Sequence, residues 1–285
     1  SRYGNDLYIQ LGILQGDTLE DGLIGTSEDD MLTGTGANEV LIGDSGDDTL
    51  DGNGGLDLLI GGDGDDTLYF DADVTLQGGS GTDTLRVRDG DASDVILSYT
   101  NLSGMDVIDL TNGAANNASL RMSWVDNISD ASSLYVYGDS SDDITVLQVN
   151  DNYLIDFVDV DGVVMRHYNR YENDLYIELG VLKNDTLTNG IIGTGGDDIL
   201  TGTSADDAMS GGTGNDVIDA GAGADVVFGG DGDDVLYYDN ANDELYGGAG
   251  FDTLTLKDGD SSNYGTATRN DVHSIEAVDM ENGAA

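Results

Sequence analysis

One nine-residue pattern recurs along this chain and constrains its fold more than any other feature. Gly61-Gly62-Asp63-Gly64-Asp65-Asp66-Thr67-Leu68-Tyr69 returns as Gly229-Gly230-Asp231-Gly232-Asp233-Asp234-Val235-Leu236-Tyr237. Each unit is a Gly-rich turn closed by Asp, then three residues with an apolar centre. Frames begin at Gly16, Gly25, Gly34, Gly43, Gly52, Gly61 and, after a slip, Gly78. A second block has them at Asn184, Gly193, Gly202, Gly211, Ala220, Gly229, Tyr238 and Gly247. A turn and so short a strand cannot bury an apolar face alone, so the units must stack as a solenoid. Two frames make one coil of about 18 residues, and every second frame lies on the same side.

Stacking sorts the sixth-position residues into columns. The first block places Asp30, Asp48, Asp66 and Asp83 on one side, with Asp21, Glu39 and Asp57 opposite. The second places Asp198, Asp216, Asp234 and Asp252 on one side, with Asn189, Asp207, Asp225 and Asp243 opposite. Carboxylates spaced at about 4.8 Å along a column repel one another strongly. Nothing basic is at hand to relieve this. There is no Lys or Arg between Arg2 and Arg86, nor between Lys183 and Lys257, while 18 acidic residues lie in 16–85 and 15 in 184–254. A screening length of roughly 8 Å does not hide such neighbours. Either these segments stay expanded, as strongly acidic chains do, or a small cation supplies the missing charge.

The eighth position decides between the two. It reads Leu23, Leu32, Leu41, Leu50, Leu59, Leu68 and Leu85, then Ile191, Leu200, Met209, Ile218, Val227, Leu236, Leu245 and Leu254. That is a thin continuous core, and the cation must contribute folding free energy. The donors are oxygens alone: carboxylates, and carbonyls brought inward by the Gly turns. Flexible turns with many oxygens favour Ca²⁺ over Mg²⁺. Zn²⁺ is disfavoured, because the chain has no Cys and its histidines are His167 and His273. The candidate ligands are Asp30, Gly43, Asp48, Asp57, Gly61, Asp63, Asp66, Gly78 and Asp83 in the first block. In the second they are Asp198, Asp207, Gly211, Asp216, Asp225, Gly229, Asp231, Asp234, Asp243, Gly247 and Asp252. The side starting at Gly25 improves from GTSEDD to GGDGDD, while GTGANE and GNGGLD stand opposite. One well-filled ladder per block and a partial one opposite are expected.

A longer repeat lies over the short one. Residues 2–15 and 170–183 are identical at ten of fourteen positions, at an offset of 168. The expected fold is all-β, with two calcium-bound parallel β-rolls separated by a small antiparallel, sandwich-like domain. Residues 1–15 read as the last strand of a preceding β domain and 16–90 as the first roll. Residues 91–183 read as the antiparallel domain, 184–260 as the second roll, and 261–285 as a further β domain or cap. The alternation Leu134-Tyr135-Val136-Tyr137 carries the antiparallel reading. The abrupt ends suggest a piece of something longer. Ile24, Val40, Ile42, Leu58 and Ile60 make one outer face apolar, as do Ile192, Val226 and Phe228 in the second roll. Another part of the module is expected to cover it, with self-association as the alternative.

The same residues exclude much else. A net charge of -48 disfavours nucleic acid and anionic membrane, and no apolar run is long enough to insert in a bilayer. No Gly-x-Ser-x-Gly elbow or His-Glu-x-x-His motif is present, so catalysis is not expected. An ice-binding solenoid needs a Thr ladder, but the second positions run Thr26, Asp44, Gly62, Gly79 and Asp17, Thr35, Asn53, Asp71. A polysaccharide-binding accessory module would need basic residues along the roll.

The repeats GGDGDDTLYF and GGDGDDVLYY, with Asp106 to Gly113, Leu134 to Asp139 and Tyr168 to Leu179, resemble the tandem RTX modules of large bacterial adhesins and related type I-secreted proteins. The resemblance implies a secreted, extracellular module at the surface of a Gram-negative bacterium. It implies export as an unfolded chain and folding on extracellular calcium. Its partners would be calcium and neighbouring copies of the same module. A C-terminal secretion-region module and a self-assembling surface-layer or matrix unit are the alternatives.

Overall fold

The computed structural model describes residues 21–70, 75–88, 94–95, 102–121, 125–129, 133–139, 142–147, 154–160, 163–170, 173–179, 187, 189–238, 243–256 and 272–279. The strand expected at 1–15 and the turns at Gly16 and Asn184 lie outside these residues. The chain divides into two compact units, residues 1–152 with 170–176, and residues 153–169 with 177–285.

The first unit is a parallel coil. Its strands are β1 Asp21–Ile24, β2 Met31–Thr33, β3 Glu39–Ser45, β4 Thr49–Asp51, β5 Leu58–Asp63, β6 Thr67–Phe70, β7 Thr75–Ser80 and β8 Thr84–Val87. They are followed by β9 Asp94–Val95, β10 Leu102–Ser103, β11 Val107–Asp109, β12 Asn117–Arg121, the helical turn α1 Val125–Ile128, β13 Ser133–Tyr137 and β14 Asp143–Leu147. One sheet runs β1-β3-β5-β7-β10, and facing it β2, β4, β6, β8, β11 and β13 stack in that order. In the first sheet Leu23, Leu41, Leu59, Leu76 and Leu102 are register partners in turn. In the second the sequence is Leu32, Leu50, Leu68, Leu85, Ile108 and Val136. From Leu41 and Leu50 onward these side chains are essentially inaccessible to solvent. The eighth position is the core, as its regular spacing requires.

The region read as an antiparallel domain is corrected by these registers. The strand β8 pairs in parallel with β11, and β11 with β13. A third sheet, β9-β12-β14, is also parallel. The roll therefore continues to Leu147 in longer coils. Leu85 pairs with Ile108, 23 positions on, and Ile108 with Val136, 28 positions on. The extra length holds α1, whose Val125 and Ile128 are buried, and Met105 donates its N–H to the Ile128 carbonyl. Alternation reports one buried face and says nothing of strand direction, which is why the sequence misled here.

Antiparallel pairing occurs in β15 Leu154–Val160 with β16 Val163–Arg170, a hairpin followed by β17 Asn173–Glu178. The hairpin belongs to the second unit up to residue 169. The second roll comprises β18 Asn189–Ile192, β19 Ile199–Thr201, β20 Asp207–Thr213, β21 Val217–Asp219, β22 Val226–Asp231, β23 Val235–Tyr238, β24 Glu244–Ala249, β25 Thr253–Leu256, β26 Val272–His273 and β27 Ala277–Asp279. Two parallel sheets, β18-β20-β22-β24-β26 and β19-β21-β23-β25-β27, enclose Met209, Ile218, Val227, Leu236, Leu245 and Leu254.

Here the apolar outer face is covered. Phe157 of the hairpin packs edge-on against Phe228, with centroids 5.4 Å apart. Ala208 and Leu187 join that cluster, with Val164, Ile192 and Val226 around it. The fit is tight, because a methyl group at Gly190 would lie 2.5 Å from Val164. In the first unit Ile24, on the equivalent face, is 72% exposed.

Candidate metal centre

Each sixth-position Asp holds the coil before it. The N–H of Asp30 donates to Asp48 Oδ1 (2.8 Å), that of Asp48 to Asp66 Oδ1 (2.8 Å) and that of Asp66 to Asp83 Oδ1 (2.9 Å). In the second roll Asp198, Asp216 and Asp234 donate in the same way to Asp216, Asp234 and Asp252. The carbonyls work in return, since Asp30, Asp48 and Asp66 accept the N–H groups of Thr49, Thr67 and Thr84. One carboxylate oxygen of each Asp is thus committed to the backbone.

The other oxygen is the informative one. The Oδ2 atoms of Asp48, Asp66, Asp216, Asp234 and Asp252 are buried and have no hydrogen-bond partner. A buried carboxylate oxygen left this way is costly, and the cost falls if a cation meets it. The first glycine of the frame opens the space. A methyl group on Gly61 would overlap Asp66 Oδ2 and lie 2.7 Å from the Gly78 carbonyl oxygen. On Gly43 it would overlap Asp48 Oδ2 and lie 2.5 Å from the Gly61 oxygen, and on Gly211 it would meet Asp216 Oδ2 and, at 2.5 Å, the Gly229 oxygen. Carboxylate and carbonyl oxygens of successive coils therefore converge where a side chain would otherwise stand. Among the described residues no three acidic or imidazole side chains gather at one point. The donor set is a carboxylate with backbone carbonyls, which suits a hard cation of flexible geometry.

Burial charges these sites with tension. Desolvation pushes the Asp66 and Asp234 carboxyls up to about 6, against hydrogen bonds that pull the other way. Asp48, Asp216 and Asp252 are raised too, chiefly by desolvation, with neighbouring carboxylates adding to it.

Columns of oxygen-lined Gly-Asp turns at nine-residue spacing are also what comparison with protein families finds. The model of the RTX calcium-binding nonapeptide repeat matches residues 16–50, 33–68, 71–92, 191–218, 201–236, 210–245 and 237–260. The chain belongs to this family. Its RTX repeats bind calcium, and the oxygens described above fit that ion. No curated protein matches the chain.

The RTX ligand candidates fall into four groups in the structure. Asp48, Asp57, Asp66, Asp83, Asp207, Asp216, Asp225, Asp234, Asp243 and Asp252 are buried on the two sides of the rolls. Burial does not separate the columns, because Glu39 and Asp57 are as hidden as Asp48. Gly43, Gly61, Gly78, Gly211, Gly229 and Gly247 sit at the turn floors. Asp30 and Asp198 are half-buried at the first described coil of their columns. Asp63 and Asp231 lie exposed on the rim, where Asp63 accepts the Ser80 hydroxyl at 2.6 Å.

Sequence reading missed two features of these RTX turns. The fifth position makes an outer ladder running the opposite way. Asp47 donates its N–H to Asp29 Oδ1 (3.0 Å), and Asp65 to Asp47 Oδ1 (2.9 Å). The Asp-Asp doublets signalled it. The columns also end in protein groups. Asp106 Oδ2 accepts the N–H of Asp83 (3.1 Å), and its Oδ1 accepts the Ser129 hydroxyl (2.6 Å). Glu276 takes the equivalent place for Asp252.

Proposed function

We propose that this chain is a non-enzymatic, calcium-rigidified structural module of a secreted bacterial surface protein of the adhesin kind. It folds and stiffens on meeting extracellular calcium, and it serves extension or assembly with neighbouring copies. The observation that carries this reading is the run of buried Oδ2 atoms without a hydrogen-bond partner beside a thin apolar core. Such a roll is poorly stable without its ion and stiff with it. Among the described residues no helix is long and apolar enough to cross a membrane. A self-associating surface-layer or matrix unit is the second reading. The exposed Ile24, on a face whose counterpart in the second roll is covered, favours it.

Circular dichroism and sedimentation test both readings, starting from calcium-free protein and raising Ca²⁺ through the millimolar range. The expected result is strand signal and compaction that appear together with calcium. Equal folding without calcium overturns the proposal. A rise in mass at constant folding selects assembly over a spacer role.

A further inference from the structure

The inner carboxylates are not all alike, and the difference lies at the second position of the turn. Where that residue is Thr, the carboxylate is already occupied. Thr26 donates both its N–H (2.6 Å) and its hydroxyl (2.9 Å) to Asp30 Oδ2. Thr194 does the same to Asp198 Oδ2, at 2.6 and 2.8 Å. On the opposite sides, Thr203 donates through both groups to Asp207 Oδ2, and Thr35 through its N–H to Glu39 Oε2 and its hydroxyl to Glu39 Oε1.

Where the second residue is Gly, Asp or Asn, the backbone turns differently. Asp44 and Asn53 have φ of 86° and 63°, and Gly62, Gly212 and Gly230 have 131°, 99° and 115°. A β-branched Thr avoids that region. The Thr turns therefore keep their N–H aimed back at the carboxylate, while for Asp48, Asp66, Asp216 and Asp234 the Oδ2 atom is left buried without a partner. The carboxylate itself moves with this choice. A methyl group at Gly25, Gly193 or Gly202 would stand 2.9, 3.0 or 2.8 Å from the Oδ2 atom of its turn, whereas at Gly43, Gly61, Gly211 and Gly229 it would overlap it. The Thr194 hydrogen bonds also hold the Asp198 carboxyl below its ordinary range, opposite to Asp216 and Asp234.

We propose that the second residue of each turn decides whether that turn takes calcium, and that Thr26, Thr35, Thr194 and Thr203 make ion-free turns, closed by protein hydrogen bonds, in the first described coils of the rolls. The inference rests on the calcium-column reading and narrows it, since it removes Asp30, Asp198 and Asp207 from the ligands. The Thr hydroxyl and N–H take the place of the cation. Such a coil is satisfied before any ion arrives.

The test is the number of calcium ions bound, read by equilibrium dialysis of the full chain against Ca²⁺ with metal analysis. Thr26→Gly and Thr194→Gly free the Asp30 and Asp198 carboxylates, and each is expected to add about one ion per chain, a typical hard-oxygen site. The reverse exchange, Asp44→Thr, is expected to remove about one. Asp44 has positive φ, which Thr avoids, so the exchange is expected to turn the backbone to the conformation that aims the N–H back at Asp48. Circular dichroism at saturating calcium identifies any variant that fails to fold, and the remaining two substitutions then carry the test. Folded variants with unchanged ion counts overturn the proposal. A wild-type chain that binds no calcium overturns the column reading instead, so the two failures are distinct.

Discussion

Acid is expected to substitute for calcium in this fold. Asp66 and Asp234 have carboxyls pushed from 3.8 up to about 6 by burial when no cation faces them. A raised carboxyl makes the folded state hold its proton more tightly than the unfolded chain does. The resulting stability is fully present below the unfolded value of 3.8 and is lost as pH rises through about 6. At pH 7.5 both groups must ionise in place. At pH 5 each favours the calcium-free fold by about 1.4 kcal/mol relative to pH 7.5, a tenfold change in the folding constant. Asp48, Asp216 and Asp252 are shifted in the same direction and add to it, and Asp198 opposes it. The assay is urea unfolding of calcium-stripped protein in metal-free buffer, followed by circular dichroism at the two pH values. With m of about 1.5 kcal/mol/M, each carboxylate moves the midpoint of its own roll by about 1 M. The calcium-free midpoint should be higher at pH 5. In saturating calcium the order should reverse, because protons and the ion compete for the same oxygen. A calcium-free midpoint that is unchanged or higher at pH 7.5 would refute the reasoning.

Other substitutions separate the parts of the site. Asp66→Asn should raise the calcium midpoint for folding about tenfold, or about 1.4 kcal/mol, while Asp63→Asn on the exposed rim should leave it within about twofold. Equal shifts in a calcium titration by circular dichroism would argue against an inner ladder. Gly61→Ala places a methyl group between Asp66 and the Gly78 carbonyl, whereas nothing lies within 4 Å of a methyl group at Gly36. The first should lose about 2 kcal/mol or more of calcium-loaded stability and the second less than about 1 kcal/mol, and thermal melts with the reverse order would contradict the cradle geometry. Asn116 donates its side-chain amide to Asp142 Oδ1 (2.9 Å) and to the Leu110 and Ala114 carbonyls. Asn116→Asp turns that donor into a buried charge facing acceptors, and it should lower the melting temperature by about 6 °C or more even in excess calcium. A melt within a degree of wild type would show that the amide contributes little.

The nine-residue period carried most of the rolls. Each Leu of the eighth position lies where the spacing put it, because a turn with a fixed count of residues leaves a solenoid no other register. The sixth-position columns were legible for the same reason. Reading failed where the period stopped. From Leu85 to Ile108 the coil lengthens, and alternation alone could not tell a parallel continuation from an antiparallel domain. Thr26 was weighed as part of a possible flat Thr face, and Thr194 was not singled out. Their action on Asp30 and Asp198 depends on backbone φ and on a hydroxyl reaching four positions along the chain, neither of which a repeat alignment displays. The cover over Phe228 was anticipated as a need, but its source in the hairpin was not, since Phe157 stands 71 positions away.

The hydrogen bonds of Asp106 bear on the register that the roll presents beyond its calcium column. A parallel sheet edge with an 18-residue register is a template, and a roll whose last coil matched its first would accept another roll, then another, as a fibre. After Asp83 the chain breaks that match. Asp106 spends both oxygens on Asp83 and Ser129, and the next coils advance by 23 and 28 positions in place of 17. The second roll makes the same exit through Glu276, where Leu254 meets Val278 at a step of 24. A repeat unit arriving at either edge finds hydrogen-bonding groups out of step with its own. Coil length alone thus sets these edges apart from the 18-residue register of the repeats.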